Sequence, residues 1–322
     1  MGAGRLSRAV GAWLIHLADP ARLTPAPREK LLAAEIPDLL AAAAAHGVLP
    51  AVLRGLPGTG AALEAGRLQL AYATGFNMLL SHHADRAMAA LRAAGVHATI
   101  VKGRVFARRI YPDAALRGFT DIDILLRPAD REAGGRALAA LGFAAQELAY
   151  RTGRDYAEDK WVLAGQPEAA PEVLVELHAD LVHNPKLRRA LRLDYQAVLE
   201  AGDGDAEDAT ALLLIAAVHG AASHQFDRLQ HLVDVLLLAR GAAGPIDMQR
   251  LKRVAARCGA GFAVAAALAI TGQVFAEPRR AVPLAGIARR LISADVILRA
   301  QGQGRSADSW RRKAFRQLLR LG

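Results

Sequence analysis

Three short segments carry the side chains best suited to chemistry. Lys102-Gly103 follows a β-rich run at His97–Val101, Asp121-Ile122-Asp123 begins a second at Ile122–Leu126, and Glu176-Leu177-His178 closes a third at Val173–Leu177. Alternate side chains of a strand share a face, so Asp121 and Asp123 project together while Ile122 and Ile124 turn into the core. Neighbouring carboxylates repel as bare charges, and a divalent cation such as Mg²⁺, which prefers carboxylate and phosphate oxygens, is the usual remedy. Glu176 sits in an apolar run, where an ionised group needs a partner. If its strand pairs with that of Asp121 and Asp123, three carboxylates can hold two cations, one activating a hydroxyl and one neutralising a triphosphate and its leaving group. Lys102-Gly103 adds a strand-turn-helix junction whose free N–H groups and close backbone approach suit a phosphate. His178 falls on the face of Glu176 by the period of two, as a contact to substrate beside the metals.

The elements that must position these residues fall into three regions. Residues 1–95 read as helical, with apolar positions at helical spacing over Arg28–Ala45 and Leu63–Ala94. Residues 96–204 read as a small α+β unit in the order β-α-β-α-β-β-β. Its strands are His97–Val101, Ile122–Leu126, Ala145–Tyr150, Lys160–Ala164 and Val173–Leu177, and its helices are Val105–Tyr111 and Ala129–Leu141. The acidic, glycine-rich stretch Gly202–Asp208 is a plausible linker, and residues 205–322 are again helical, over Ala209–Arg240, Met248–Arg257, Ala260–Ala276 and Val282–Arg299. The fold class is therefore α+β, a small mixed sheet flanked by N-terminal helices and a C-terminal helical domain.

Composition narrows the classes. With 322 residues, 53% hydrophobic and 22% charged, the chain can bury a real core and is not intrinsically disordered. The one cysteine, Cys258, excludes a disulfide framework and a cysteine-based zinc site, and fits a reducing cytoplasm. Cys258–Ala276 has no charged side chain, but its alanines and glycines contribute little transfer energy, so it reads as a buried helix and not a membrane span. Arg5 and Arg8 precede an apolar stretch that His16 and Asp19 interrupt, unlike a signal peptide. Lys and Arg number 41 against 31 Asp and Glu, a net charge of +10 that suits nucleotides, nucleic acid or an anionic membrane and selects none of them.

Over roughly 96–240 the chain resembles the uncharacterised nucleotidyltransferases of the DNA polymerase β-like superfamily. The resemblance rests on Lys102-Gly103, Tyr111-Pro112-Asp113 through Arg117, Asp121 with Asp123, Glu176-Leu177-His178, His219 with His224, and Arg228 through Asp234. It implies an enzyme that uses Mg²⁺ or Mn²⁺ to move a nucleoside monophosphate from an NTP to a hydroxyl of a protein, RNA or small molecule, releasing pyrophosphate. Asp121, Asp123 and Glu176 would be its metal-binding and catalytic residues, and Lys102, Gly103, Arg104, Arg117 and His178 its substrate contacts. Arg104 is a departure, since the superfamily usually has Gly or Ser after the turn glycine. A guanidinium there can reach a triphosphate, yet its bulk keeps open a nucleotide-binding protein without turnover. A basic protein bound to nucleic acid or a membrane surface is a third reading. Arg117 is expected to clamp the phosphates, the alternative being a surface salt bridge to Asp113. His224, Asp227, His231 and Asp234 share one face of the expected Ala209–Arg240 helix, as a polar docking face or a second metal site. The tail, with Arg305, Arg311, Arg312, Lys313, Arg316 and Arg320 among Trp310, Phe315, Leu318, Leu319 and Leu321, is read as a helix that packs its leucines and leaves its charges solvated, the alternative being a basic amphipathic helix on nucleic acid or an anionic membrane, and the phosphate cradle, far upstream in the core, is expected not to need it.

Overall fold

Five short strands form one mixed sheet, ordered β1-β2-β5-β4-β3, in the computed structural model, which describes residues 6–56, 58, 60–146, 157–167, 170–277, 285–300 and 309–321. Helices α1 (Arg8–Ala18), α2 (Ile36–Ala45), α3 (Leu49–Gly55) and the long α4 (Ala61–Ala93) come first. The α+β unit follows: β1 (Ala98–Ile100), α5 (Gly103–Arg109), β2 (Ile122–Leu126), α6 (Arg131–Ala140), β3 (Phe143–Ala145), β4 (Glu158–Leu163) and β5 (Leu174–His178). The rest is helical: α7 (Pro185–Arg188), α8 (Tyr195–Ala201), α9 (Ala209–Val218), α10 (Leu229–Ala239), α11 (Met248–Arg257), α12 (Gly261–Val274), α13 (Ala285–Leu291), α14 (Ala294–Ala300) and α15 (Ser309–Leu318).

The alternation of β2 and β5 decides which way the sheet faces. Ile122, Ile124 and Leu126 join Val175 and Leu177 in a buried cluster under α4 and α6, contributed by Leu80, Ala84, Leu91 and Leu138. The opposite face carries Asp123, Glu176 and His178 toward the C-terminal helices, and Leu125 there enters a second apolar cluster that runs from Val10 through Leu213 to Leu319. Helix α9 is buried on all sides, which is why its apolar residues show almost no one-sided pattern. The charge-free segment begins at Cys258, which ends α11, and continues as α12, whose Phe262, Ala266 and Ile270 are core residues. Among the described residues no helix is long and apolar enough to cross a membrane.

Several expected bounds shift. Residues 28–32 are not helical, and α2 begins at Ile36 behind a 3₁₀ turn, Ala33–Glu35. Helix α5 starts at Gly103, two residues earlier than its apolar pattern. Strand β4 starts at Glu158, and β3 occupies Phe143–Ala145, while residues 147–150 of the expected third strand lie outside the described residues. Gly202–Asp208 is a tight turn with Ala206 buried and the Asp208 carboxylate capping α9 through the Thr210 N–H. The largest correction is at Ala209–Arg240. A single helix does not run through it: α9 passes into a π-helical turn at His219–His224 and breaks at Gln225 and Phe226, both with positive φ, before α10 begins. Phe226 folds back so closely that a Cβ on Gly220 would meet its ring at 2.5 Å, so only glycine fits there.

Candidate active site

Strand pairing brings the distant segments together. The β2–β5 register is parallel and sets Asp123 opposite Glu176, while the antiparallel β5–β4 register sets Glu176 opposite Lys160 and His178 opposite Glu158. The Val101 N–H donates to the Asp123 carbonyl at 2.9 Å, which carries the β1–β2 ladder one step further and leaves Lys102 beside Asp123. Lys102 adopts a positive φ of 60° and Gly103 one of 32°, a conformation that a lysine holds only when its surroundings impose it. The imposed partner is visible: Lys102 Nζ stands 2.6 Å from Asp123 Oδ1. His178 Nε2 lies 2.8 Å from the same oxygen and 3.6 Å from Glu176 Oε2, which places His178 on the carboxylate face. Lys160 pairs with Glu176 and lies 3.4 Å from Glu158, whose other oxygen is 2.9 Å from His183 Nδ1.

Four carboxylates, Asp121, Asp123, Glu158 and Glu176, thus face two lysines, Lys102 and Lys160. The imbalance registers on Asp121. Burial, then the negative charge of Asp123, push its carboxyl up to about 7 against the attraction of Lys102. Asp123 goes the other way: burial alone would raise it, but Lys102 and His178 outweigh burial and hold it well below the carboxylate range. Lys102 is raised in turn, the carboxylates of Asp123 and Asp121 overcoming its burial.

A divalent cation fits this donor set. Asp123, Glu176 and His178 each offer a ligand atom, all within 4.8 Å of one another, and the carboxylate Asp121 stands beside Asp123 with surplus negative charge. Glu158, His178 and His183 form a neighbouring group of the same kind. Glu158 and His183 were not singled out from sequence, because the expected strand began at Lys160. Glu158, two residues earlier on the same strand face, was the available signal.

Other expected contacts are placed elsewhere. Arg117 is buried and forks onto Asp234, Nε and Nη2 donating at 2.9 and 2.8 Å, and its Nη1 donates to the Gly103 carbonyl at 3.2 Å. The Tyr111 hydroxyl donates to the same Asp234 at 2.8 Å. The Tyr111–Arg117 insertion therefore fastens the Gly103 turn to α10, and its guanidinium fork is closed to a phosphate. Asp113 does not receive it either: its carboxylate accepts from the Ala115 N–H and lies 3.8 Å from Arg54. Arg104 turns outward to Asp85 at 2.6 Å.

A cavity of about 690 Å³ opens in front of the carboxylates, lined by Lys102, Asp121, Glu176 and, on its far side, His219, His224 and Gln225. His219, His224 and His231 bring ring nitrogens within 4.8 Å, with the His224 and His231 rings stacked at 4.3 Å and Asp227 3.6 and 3.7 Å from them. Burial, then Lys102 for His219 and the neighbouring His224 ring for His231, hold these two histidines well below the usual histidine range. The tail also reaches this cavity: Lys313, Arg316, Gln317 and Arg320 of α15 and the turn that follows complete its lining. That corrects the expectation of a tail far from the cradle.

Comparison with known proteins agrees with this arrangement at the level of family. A family described as uncharacterised nucleotidyltransferase matches residues 33–276, which takes in every strand of the sheet and both histidine-bearing segments of the C-terminal half. No curated protein matches the chain.

Proposed function

Because the chain belongs to the uncharacterised nucleotidyltransferase family, we propose that it transfers a nucleoside monophosphate from an NTP to an acceptor hydroxyl, with Mg²⁺ or Mn²⁺ held by Asp121, Asp123 and Glu176. When bound, the metal supplies Lewis-acid stabilisation of the charge that develops on the triphosphate. The remaining work belongs to the chain. His178 and Lys102 fix Asp123 through one oxygen and leave the other for a ligand. Lys160 orients Glu176, which takes the proton of the attacking hydroxyl. A bond then forms between that oxygen and the α-phosphorus, the bond from the α-phosphorus to its bridging oxygen breaks, and pyrophosphate leaves. Lys102 sits at the strand end where the phosphates would enter, with Gly103 giving the backbone room for them.

The observation that carries this reading is the Asp123–Glu176 register, which sets carboxylates from two strands side by side, with Asp121, Glu158 and Glu176 lining one cavity. The departure that favoured binding without turnover was Arg104, and it lies against Asp85, away from that cavity. The test is label transfer: purified protein with each α-³²P-labelled NTP and Mn²⁺, scored on the protein itself, on RNA and on small-molecule pools. Wild type should transfer label, and the double variant Asp121→Asn with Asp123→Asn should lose transfer while remaining folded. Retained turnover in that variant overturns the site.

A further inference from the structure

We infer that the basic face of α15 is a polyphosphate-binding wall, with Lys313, Arg316 and Arg320 gripping the phosphates of the nucleotide across the cavity from the carboxylates. The inference rests on the transfer reading above, and it concerns a segment that the family match, 33–276, does not include.

The helix is anchored in a way that aims this face. Phe315 and Leu319 are fully buried, and the Phe315 ring lies 5.5 Å from Phe262 and 6.2 Å from Phe226. Arg312 is buried too, donating at 3.1 Å to the His224 carbonyl, the last residue of the π-helical turn that forms the cavity's far side. With positions 312, 315 and 319 fixed inward, positions 313, 316 and 320 follow at the i, i+3, i+7 spacing on the neighbouring stripe. All three line the cavity that holds Lys102 and Asp121.

Every other cation that the sequence or the structure places near the phosphates already has an acid beside it: Lys102 has Asp123, Lys160 has Glu176, Arg117 has Asp234 and Arg104 has Asp85. Among the described residues no carboxylate lies within ion-pair reach of Lys313, Arg316 or Arg320, and Arg320 donates only to the Gln317 side chain, at 3.3 Å. Three like charges one turn apart repel until an anion arrives. Guanidinium forks match phosphate oxygens in pairs, so a chain of phosphates is the anion that this spacing suits. About 690 Å³ is also within the range of sites that take a nucleotide-sized ligand.

Inorganic tripolyphosphate isolates the claim, because it carries the phosphates without base or sugar. Binding of tripolyphosphate and of an α,β-methylene NTP, with Mn²⁺ present, is measured by titration calorimetry on wild type, on Arg316→Ala with Arg320→Ala, and on the charge-preserving Arg316→Lys with Arg320→Lys. The alanine pair should weaken both ligands by about tenfold to a hundredfold, the range for losing hydrogen bonds between charged groups near a surface. The lysine pair should recover part of the loss. Mn²⁺ binding without nucleotide, read by electron paramagnetic resonance, should not move, and unchanged melting would exclude unfolding as the cause. If the alanine pair binds tripolyphosphate within twofold of wild type, the wall is not there, although label transfer can still stand. If wild type binds tripolyphosphate through these arginines but transfers label from no NTP, the transfer reading falls and the polyphosphate wall remains. Loss of RNA binding with tripolyphosphate binding intact would make the helix a nucleic-acid face and overturn the inference.

Discussion

Arg117 and Asp234 are as deeply buried as Asp123 and Glu176, with 5% and 1% of their surface exposed against 5% and 8%. In the first pair each guanidinium nitrogen finds an acceptor, the fork closes on one carboxylate, the Tyr111 hydroxyl takes a further lone pair, and the net charge is zero. The attraction of Asp234 overcomes burial and raises Arg117, while burial and then Asp234 push Tyr111 well above the usual tyrosine range, so neither titrates near neutrality. On the carboxylate wall the acids outnumber the lysines, and Asp121 is pushed up to about 7 by burial and by Asp123. Burial is common to both, so burial does not distinguish a structural joint from a site. Charge balance does: a buried cluster that closes on itself stabilises the fold, and one left anionic is arranged for a cation from outside.

The largest effect should come from breaking the balanced cluster. Asp234→Asn leaves the Arg117 charge buried with no counter-ion, a loss of about 3 to 5 kcal/mol for a buried pair. Urea unfolding should show it as a lower midpoint. Arg117→Met combined with Asp234→Leu should recover most of that stability, because removing both charges removes the desolvation cost as well. Asp113→Asn, at the partner proposed from sequence, should cost far less. An equal loss at Asp113 would mean that Arg117 is not joined to α10.

This contrast also marks what was legible in the sequence. The bounds of β2 follow from its apolar run, which only Asp123 interrupts, and the Asp-x-Asp, Glu-x-His and Lys-Gly segments were found because their meaning is local. Which strands are neighbours was not readable, and the Asp123–Glu176 register depends on it. Arg117 could not be assigned to Asp234, since no periodicity links residues 117 positions apart. The break after α9 was hidden because its cause, Phe226 folding over Gly220, is tertiary contact overriding helical pattern. The stripe at 313, 316 and 320 was visible as spacing, but only the packing of Phe315 and Leu319 tells where it points.

A smaller and more selective effect should separate the two clusters by pH. The Asp121 carboxyl is raised from 3.8 to about 7 in the folded chain, so it binds its proton more tightly folded than unfolded. The stability it contributes is fully present below about pH 4 and is lost as pH rises toward 7. In chelator-treated protein the urea midpoint should therefore fall across that window relative to Asp121→Asn, which carries no such proton. Mn²⁺ should restore the wild-type midpoint at pH 7 and leave the variant less affected. Parallel pH profiles for wild type and variant in the absence of metal would mean that Asp121 carries no excess of negative charge.

The smallest effect belongs to Arg104, the bulky residue that follows the turn glycine. Its guanidinium is held at 2.6 Å from Asp85 of α4 and 3.3 Å from the Ser81 carbonyl, on the outside of the helix pair. Asp85 is largely solvent-exposed, and ion pairs of that kind contribute about 0 to 1 kcal/mol. Arg104→Ala should then shift the urea midpoint little and, because the guanidinium does not line the cavity, leave tripolyphosphate affinity within about twofold of wild type. The substitution also restores a small residue after the turn glycine, so no new steric obstacle to phosphate is introduced. Set beside Arg316→Ala with Arg320→Ala, it compares two surface arginine sites that differ in whether an acid already occupies them. A loss at Arg104 matching the loss at the tail would place the phosphates against α5 and erase the distinction between paired and unpaired cations on which that comparison turns.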